Sequence, residues 1–75
     1  MTIVKSWRGR DGVLIVRRDG YVIEINAGTT KWTYSEFLDQ TNKRAVKKLL
    51  TAVYGKAIID DVILLVQSLV GENCG

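Results

Sequence analysis

Histidine and proline are absent from this 75-residue chain, and cysteine occurs once, at Cys74, next to the C-terminal Gly75. Without histidine there is no imidazole to act as a base or to bind a metal, and a single thiol cannot form an internal disulfide. The short segment Gly71-Glu-Asn-Cys-Gly75 reads as a mobile tail, with Cys74 an inert exposed thiol; the alternative, an intermolecular disulfide, needs an oxidising compartment. The absence of proline, of low-complexity sequence and of any linker leaves one domain, residues 1–75. No apolar run is long enough to cross a bilayer and no signal peptide precedes the first strand, so the expectation is a cytoplasmic protein with no membrane partner.

Catalytic equipment is equally scarce. Asp60 and Asp61 are the only adjacent carboxylates, but neighbouring residues on a helix point about 100° apart and cannot flank one substrate. Gly9-Arg-Asp-Gly12 has neither the spacing nor the following helix of a phosphate-cradling loop. The expectation is a protein that is not an enzyme, with no catalytic residue, no cofactor and no metal.

What the chain does have is apolar material, 47% of its residues, concentrated in Ala57 to Val70. β-branched residues would favour a strand there, yet the period is helical. Ile58, Ile59, Val62, Ile63, Leu65, Val66, Leu69 and Val70 share a broad face opposite Asp60, Asp61, Gln67 and Ser68. A helix over 57–70 follows, with Asp60 as N-cap, a staple from Ile59 to Leu64, and Gly71 as the stop. Leu64 interrupts the polar side. Either it serves that local staple, or it is the contact of a homodimer.

The preceding chain reads as strands and then a helix. Ile3–Trp7 is a first strand, followed by the glycine turn Arg8 to Gly12, whose glycines can take positive φ; this loop admits more than one register for the strand. Val13–Arg18 and Tyr21–Asn26 form a hairpin around Asp19-Gly20, a pair that favours a type I′ turn. Pairing Arg18 with Tyr21 predicts Leu14, Val16, Ile23 and Ile25 on the core face, and Val13, Ile15, Arg17, Val22, Glu24 and Asn26 on a wet one. Ala27-Gly28 turns the chain into a short edge strand, Thr29–Trp32. Thr33-Tyr-Ser-Glu36 is a capping box for a helix over 33–54 that stops at Gly55 and turns Tyr34, Phe37, Leu38, Ala45, Val46, Leu49, Ala52 and Val53 inward. The fold expected is therefore α+β: a three- to four-stranded antiparallel β-meander over residues 1–32, followed by two antiparallel α-helices, ββββαα or βββαα.

The charge is uneven along this plan. Lys5, Arg8, Arg10, Arg17, Arg18 and Lys31 outnumber Asp11, Asp19 and Glu24 before residue 33, whereas the bases and acids that follow balance, so the net +3 belongs to the sheet. Two basic clusters result. Lys43, Arg44, Lys47 and Lys48 lie outward on the first helix, where Asp39 precedes Lys43 by one turn and bases suit the later half of a helix. Arg8, Arg10, Arg17 and Arg18 accompany Trp7, Trp32 and Tyr21 on the sheet. This second group is either a set of surface ion pairs beside core-closing tryptophans, or a binding surface of the residue types that anchor protein interfaces. The functional expectation is a stand-alone protein-interaction module, an inhibitor or adaptor of a larger assembly, homodimeric and binding through Trp7, Arg8, Arg10, Arg17, Arg18 and Trp32. The alternative is a DNA- or RNA-binding protein that uses the same arginines, with Lys43, Arg44, Lys47 and Lys48 as phosphate contacts.

Overall fold

The computed structural model describes residues 2–25 and 29–74. Four strands come first, β1 (Ile3–Arg8), β2 (Val13–Arg17), β3 (Tyr21–Ile25) and β4 (Thr30–Thr33), and three helices follow, α1 (Tyr34–Asn42), α2 (Arg44–Tyr54) and α3 (Lys56–Cys74). The strands form one antiparallel sheet in chain order, β1-β2-β3-β4, so the expected meander and α+β class are present and the fourth strand sits at an edge. The turn expected at Ala27-Gly28, and Asn26 before it, lie outside the described residues.

The hairpin register differs from expectation by one residue. Val16 pairs with Val22 and Ile15 with Ile23, which leaves the three-residue loop Arg18-Asp19-Gly20, with Gly20 at φ 105°. A three-residue loop closed by a glycine at positive φ competes with the two-residue type I′ turn, and here it wins. The slip exchanges the faces of β3. Val22 and Glu24 are buried with Leu14 and Val16, while Ile23 is half-buried and Ile25 is exposed on the other side.

Thr33 caps α1 as expected: its hydroxyl accepts from the Glu36 N–H at 3.2 Å, and the Glu36 carboxylate accepts from the Thr33 N–H at 2.9 Å. The helix expected to continue to residue 54 instead breaks at Lys43, whose backbone is extended (φ −74°, ψ 131°). Packing explains the break. A continuous helix that buried Tyr34, Phe37 and Thr41 would carry Ala45, Lys48 and Ala52 inward. One extended residue rotates α2 so that Leu50 and Tyr54 enter the core, with Val46 and Val53 against it, and Ala45, Leu49 and Ala52 are exposed. Asn42, a weak helix former, precedes the break.

Gly55 (φ 92°) ends α2 with its N–H on the Thr51 carbonyl, and its own carbonyl accepts from Ile59 N–H to begin α3. α3 therefore starts at Lys56, four residues before the expected N-cap. Asp60 is not a cap but accepts a 2.8 Å bond from Lys56 one turn back. The expected stop at Gly71 is passed as well, since α3 runs through it to Cys74, so residues 71–74 are helical and not a tail; the thiol of Cys74 lies outside the described atoms. The predicted apolar face of α3 is the observed one. Ile59, Val62, Val66 and Leu69 are buried, and Ile58, Ile63, Leu65 and Val70 pack beside them. Around Phe37, which is wholly buried, these residues join Leu14, Val16, Val22, Leu50 and Tyr54 in one core between the sheet and the helices; truncating Phe37 to alanine costs about 3–5 kcal/mol.

Candidate binding surfaces

Register assigns every side chain of the sheet to one of two faces. Trp7 pairs with Leu14 and Trp32 with Val22, so both tryptophans belong to the face that the helices cover. Trp7 is 8% exposed, and Trp32 sets its ring edge-on to Phe37 at 5.5 Å between centroids. Neither lies beside Arg17, contrary to the expectation of one arginine and tryptophan surface. The tryptophans close the core, with Lys5 Nζ 5.2 Å from the Trp7 ring centre at the margin.

Among the described residues no layer covers the opposite face. Its rows read across the strands as Ile3, Arg17 and Tyr21, then Ser6, Ile15, Ile23 and Lys31, then Arg8, Val13 and Ile25. Val13, Ile15 and Ile23 are half-buried by their neighbours alone, whereas Ile3 and Ile25 are exposed. Branched apolar side chains thus fill the middle and cations surround them. Arg17 Cζ lies 5.8 Å and Lys31 Nζ 4.7 Å from the ring centre of Tyr21, within cation–π range. Arg17 also pairs with Asp19. Its Nε is buried and has no hydrogen-bond partner among the described residues. Arg18 is exposed in the turn, and Arg10 is exposed in the Gly9–Gly12 loop at the other end of the sheet.

That loop is fixed to the helices. Arg10 N–H donates to the Val53 carbonyl at 3.2 Å, and Gly9 N–H to the Gly12 carbonyl at 2.8 Å. Its glycines are not needed for positive φ, which belongs among the described glycines to Gly20 and Gly55. They are needed for close approach. A Cβ on Gly9 would stand 2.5 Å from the Tyr54 ring, and one on Gly12 2.5 Å from the Ile25 carbonyl and 2.8 Å from the Tyr54 hydroxyl. Beneath them Tyr54 donates to Glu24 Oε2 at 2.6 Å, and Glu24 Oε1 accepts from Thr29 N–H at 2.9 Å. Burial, and then the Glu24 carboxylate, push the Tyr54 phenol well above its ordinary range. At the other end of the sheet Tyr34 donates its hydroxyl to the Arg17 carbonyl and its N–H to that of Gly20; burial first and Asp19 second raise its phenol too.

The second basic cluster sits on α2. Arg44, Lys47 and Lys48 line a shallow depression floored by Thr51 and Ala52, with Lys43 exposed just before it. Leu64 is 65% exposed on the polar side of α3, and the staple that would have employed it is not formed, because α3 begins earlier. Sequence reasoning missed Ile23 and Ile25 as surface residues and Glu24 as a buried one. The available signals were the two glycines of the 9–12 loop and the hydroxyl of Tyr54 at the end of an amphipathic helix.

Among the described residues no three acidic or cysteine side chains gather as metal ligands, and no helix is long and apolar enough to cross a membrane. No protein-family model, curated protein or solved structure matches the chain.

Proposed function

We propose that this chain is a small non-enzymatic binding protein, an intracellular inhibitor or adaptor, that holds a protein partner on the uncovered face of its sheet. The observation that carries this reading is the placement of all three helices on one side, which leaves Val13, Ile15, Ile23 and Ile25 without a covering layer among the described residues. Contiguous apolar surface of this kind marks interaction sites. The rim of Arg8, Arg17 and Lys31, with Arg10 and Arg18 at the two ends, favours a partner with carboxylates around an apolar centre. Tyr21 is the one aromatic ring on this face among the described residues, and branched aliphatic side chains offer bases no stacking platform, so protein is favoured over single-stranded nucleic acid here. Leu64 is the contact for self-association in the same reading.

The test is capture from host lysate with nuclease present, followed by titration of the purified partner against wild type, Ile23→Glu, and Arg17→Ala with Arg18→Ala. A charge in the apolar centre is expected to weaken binding at least about tenfold, the effect of losing one well-buried anchor. Undiminished affinity of Ile23→Glu rejects this face, and capture that vanishes with nuclease supports nucleic acid in its place. For self-association, Leu64→Glu is expected to halve the sedimenting mass, and an unchanged mass removes the dimer.

A further inference from the structure

The break at Lys43 changes what the α2 cations mean. On one long helix they would stand in the later half, where bases complement the dipole, with Asp39 one turn before Lys43. In the structure Lys43 is the N-cap of a new helix and makes no side-chain cap, and Arg44, Lys47 and Lys48 occupy its first turns. Bases there oppose the dipole. α2 contains no acidic residue, and the ion pairs among the described residues are Arg17–Asp19 and Lys56–Asp60, so none of the four cations is paired with a described acid. Lys43 with Lys47, and Arg44 with Lys48, are like charges one turn apart, which destabilises an isolated helix. Four such choices in six residues break the local rules of helix design with no ion pair among the described residues to compensate, and such violations gather at functional sites.

We infer that this end of α2 is a second binding site, independent of the sheet face, which takes the phosphate backbone of duplex nucleic acid without reading its sequence. The charge of this cluster is complementary to phosphate. The depression under Arg44, Lys47 and Lys48 is floored by Thr51 and Ala52, small enough to let a phosphate strand approach. It holds no aromatic ring to stack a base and no amide to read one, which fits backbone contacts that position without specifying. It also lacks the buried apolar anchor on which a protein interface centres. The site lies on the helical layer, across the core from the open sheet face, so both can be occupied together.

The experiment follows fluorescence anisotropy of a short labelled DNA duplex of mixed sequence as salt is raised. Wild type is compared with Arg44→Gln/Lys47→Gln/Lys48→Gln and with the charge-matched Arg8→Gln/Arg17→Gln/Arg18→Gln. The α2 variant should bind at least about tenfold more weakly at low salt, with a log–log salt slope shallower by about two to three, since each phosphate neutralised contributes about 0.9. The sheet variant should keep the wild-type slope. Lys47→Arg/Lys48→Arg should bind as wild type, which separates lost charge from lost fold. Equal losses in the two charge-removing variants would reduce the effect to net charge, and loss confined to the sheet variant would move the site; either overturns the inference. So does wild type that fails to bind the duplex at low salt, or that binds only phosphatidylserine vesicles.

Discussion

Tyr54 and Glu24, thirty residues apart in the chain, meet in the core through a 2.6 Å hydrogen bond from the phenol to the carboxylate. Neither is more than 5% exposed, so the carboxylate depends on protein donors in place of water. Tyr54→Phe should therefore destabilise the fold by about 1–3 kcal/mol, the cost of withdrawing a partner from a buried polar group. Urea denaturation measures this directly, and an unchanged midpoint would show that other donors suffice for Glu24.

Burial of two phenols, reinforced at Tyr54 by the Glu24 carboxylate, sets a pH response. Both Tyr54 and Tyr34 hold their protons more tightly when folded than an ordinary tyrosine, whose pKa is 10.0. Above pH 10 the unfolded chain releases these protons first, so the phenols' contribution is fully present below that pH and is lost as pH rises toward the folded values. Wild type should lose more stability between pH 9 and 11 than Tyr34→Phe/Tyr54→Phe does. Parallel declines in paired denaturant titrations would remove the tyrosines from the account.

Two glycines predict opposite signs. Gly12→Ala places a methyl 2.5 Å from the Ile25 backbone carbonyl and against the buried Tyr54–Glu24 pair, so something must shift and the melting temperature should fall. At Gly71, inside α3 with nothing within 4 Å, alanine should stabilise by up to about 1 kcal/mol, because glycine is the poorer helix former. Melting curves of the two variants check both.

At the start of α1, Thr33→Ala should cost about 0.5–2 kcal/mol, as loss of an N-cap hydroxyl does elsewhere. The Glu36 carboxyl is held below its usual value by the Thr33 N–H and then by the Thr33 hydroxyl. Its contribution is present above the unfolded value and fades as pH falls through the folded one. In an NMR titration the Glu36 midpoint should move upward in the variant, and an unmoved midpoint would deny the hydroxyl its part.

A ligand-free readout addresses α2. Arg44→Glu puts an acid at the first helical residue, where it agrees with the dipole and relieves the repulsion from Lys48. Stability should rise by about 0.3–1 kcal/mol, visible as a few degrees in melting temperature for a domain this small. A fall would mean that the cations are compensated within the fold.

Local signals carried much of the architecture. Strand positions, the capping box at Thr33, the end of α2 at Gly55 and the buried stripe of α3 depend on neighbours within a turn or a hairpin, and these were readable from the chain. What was not readable depends on partners distant in sequence. Glu24 argues for the wet face until Tyr54 is seen to receive it, and with that the Arg18-Asp19-Gly20 loop and the reversal of Ile23 and Ile25 follow. The helix break is similar, since nothing near Lys43 demands it except the need to bring Leu50 and Tyr54 inward. For the candidate surfaces, the arginines are legible as a charged group, but composition does not say which way a strand faces, and so it cannot separate Trp7 and Trp32 from them.

The two tyrosines hold the sheet at opposite ends, Tyr34 on the loop joining its second and third strands and Tyr54 on the loop joining its first and second. Neither strand of the central pair can then peel away without disturbing a helix, and neither α1 nor α2 can lift without freeing a loop. The molecule should open all at once, so the slowest-exchanging amides of Leu14, Val22 and Leu50 should share a single free energy of exposure.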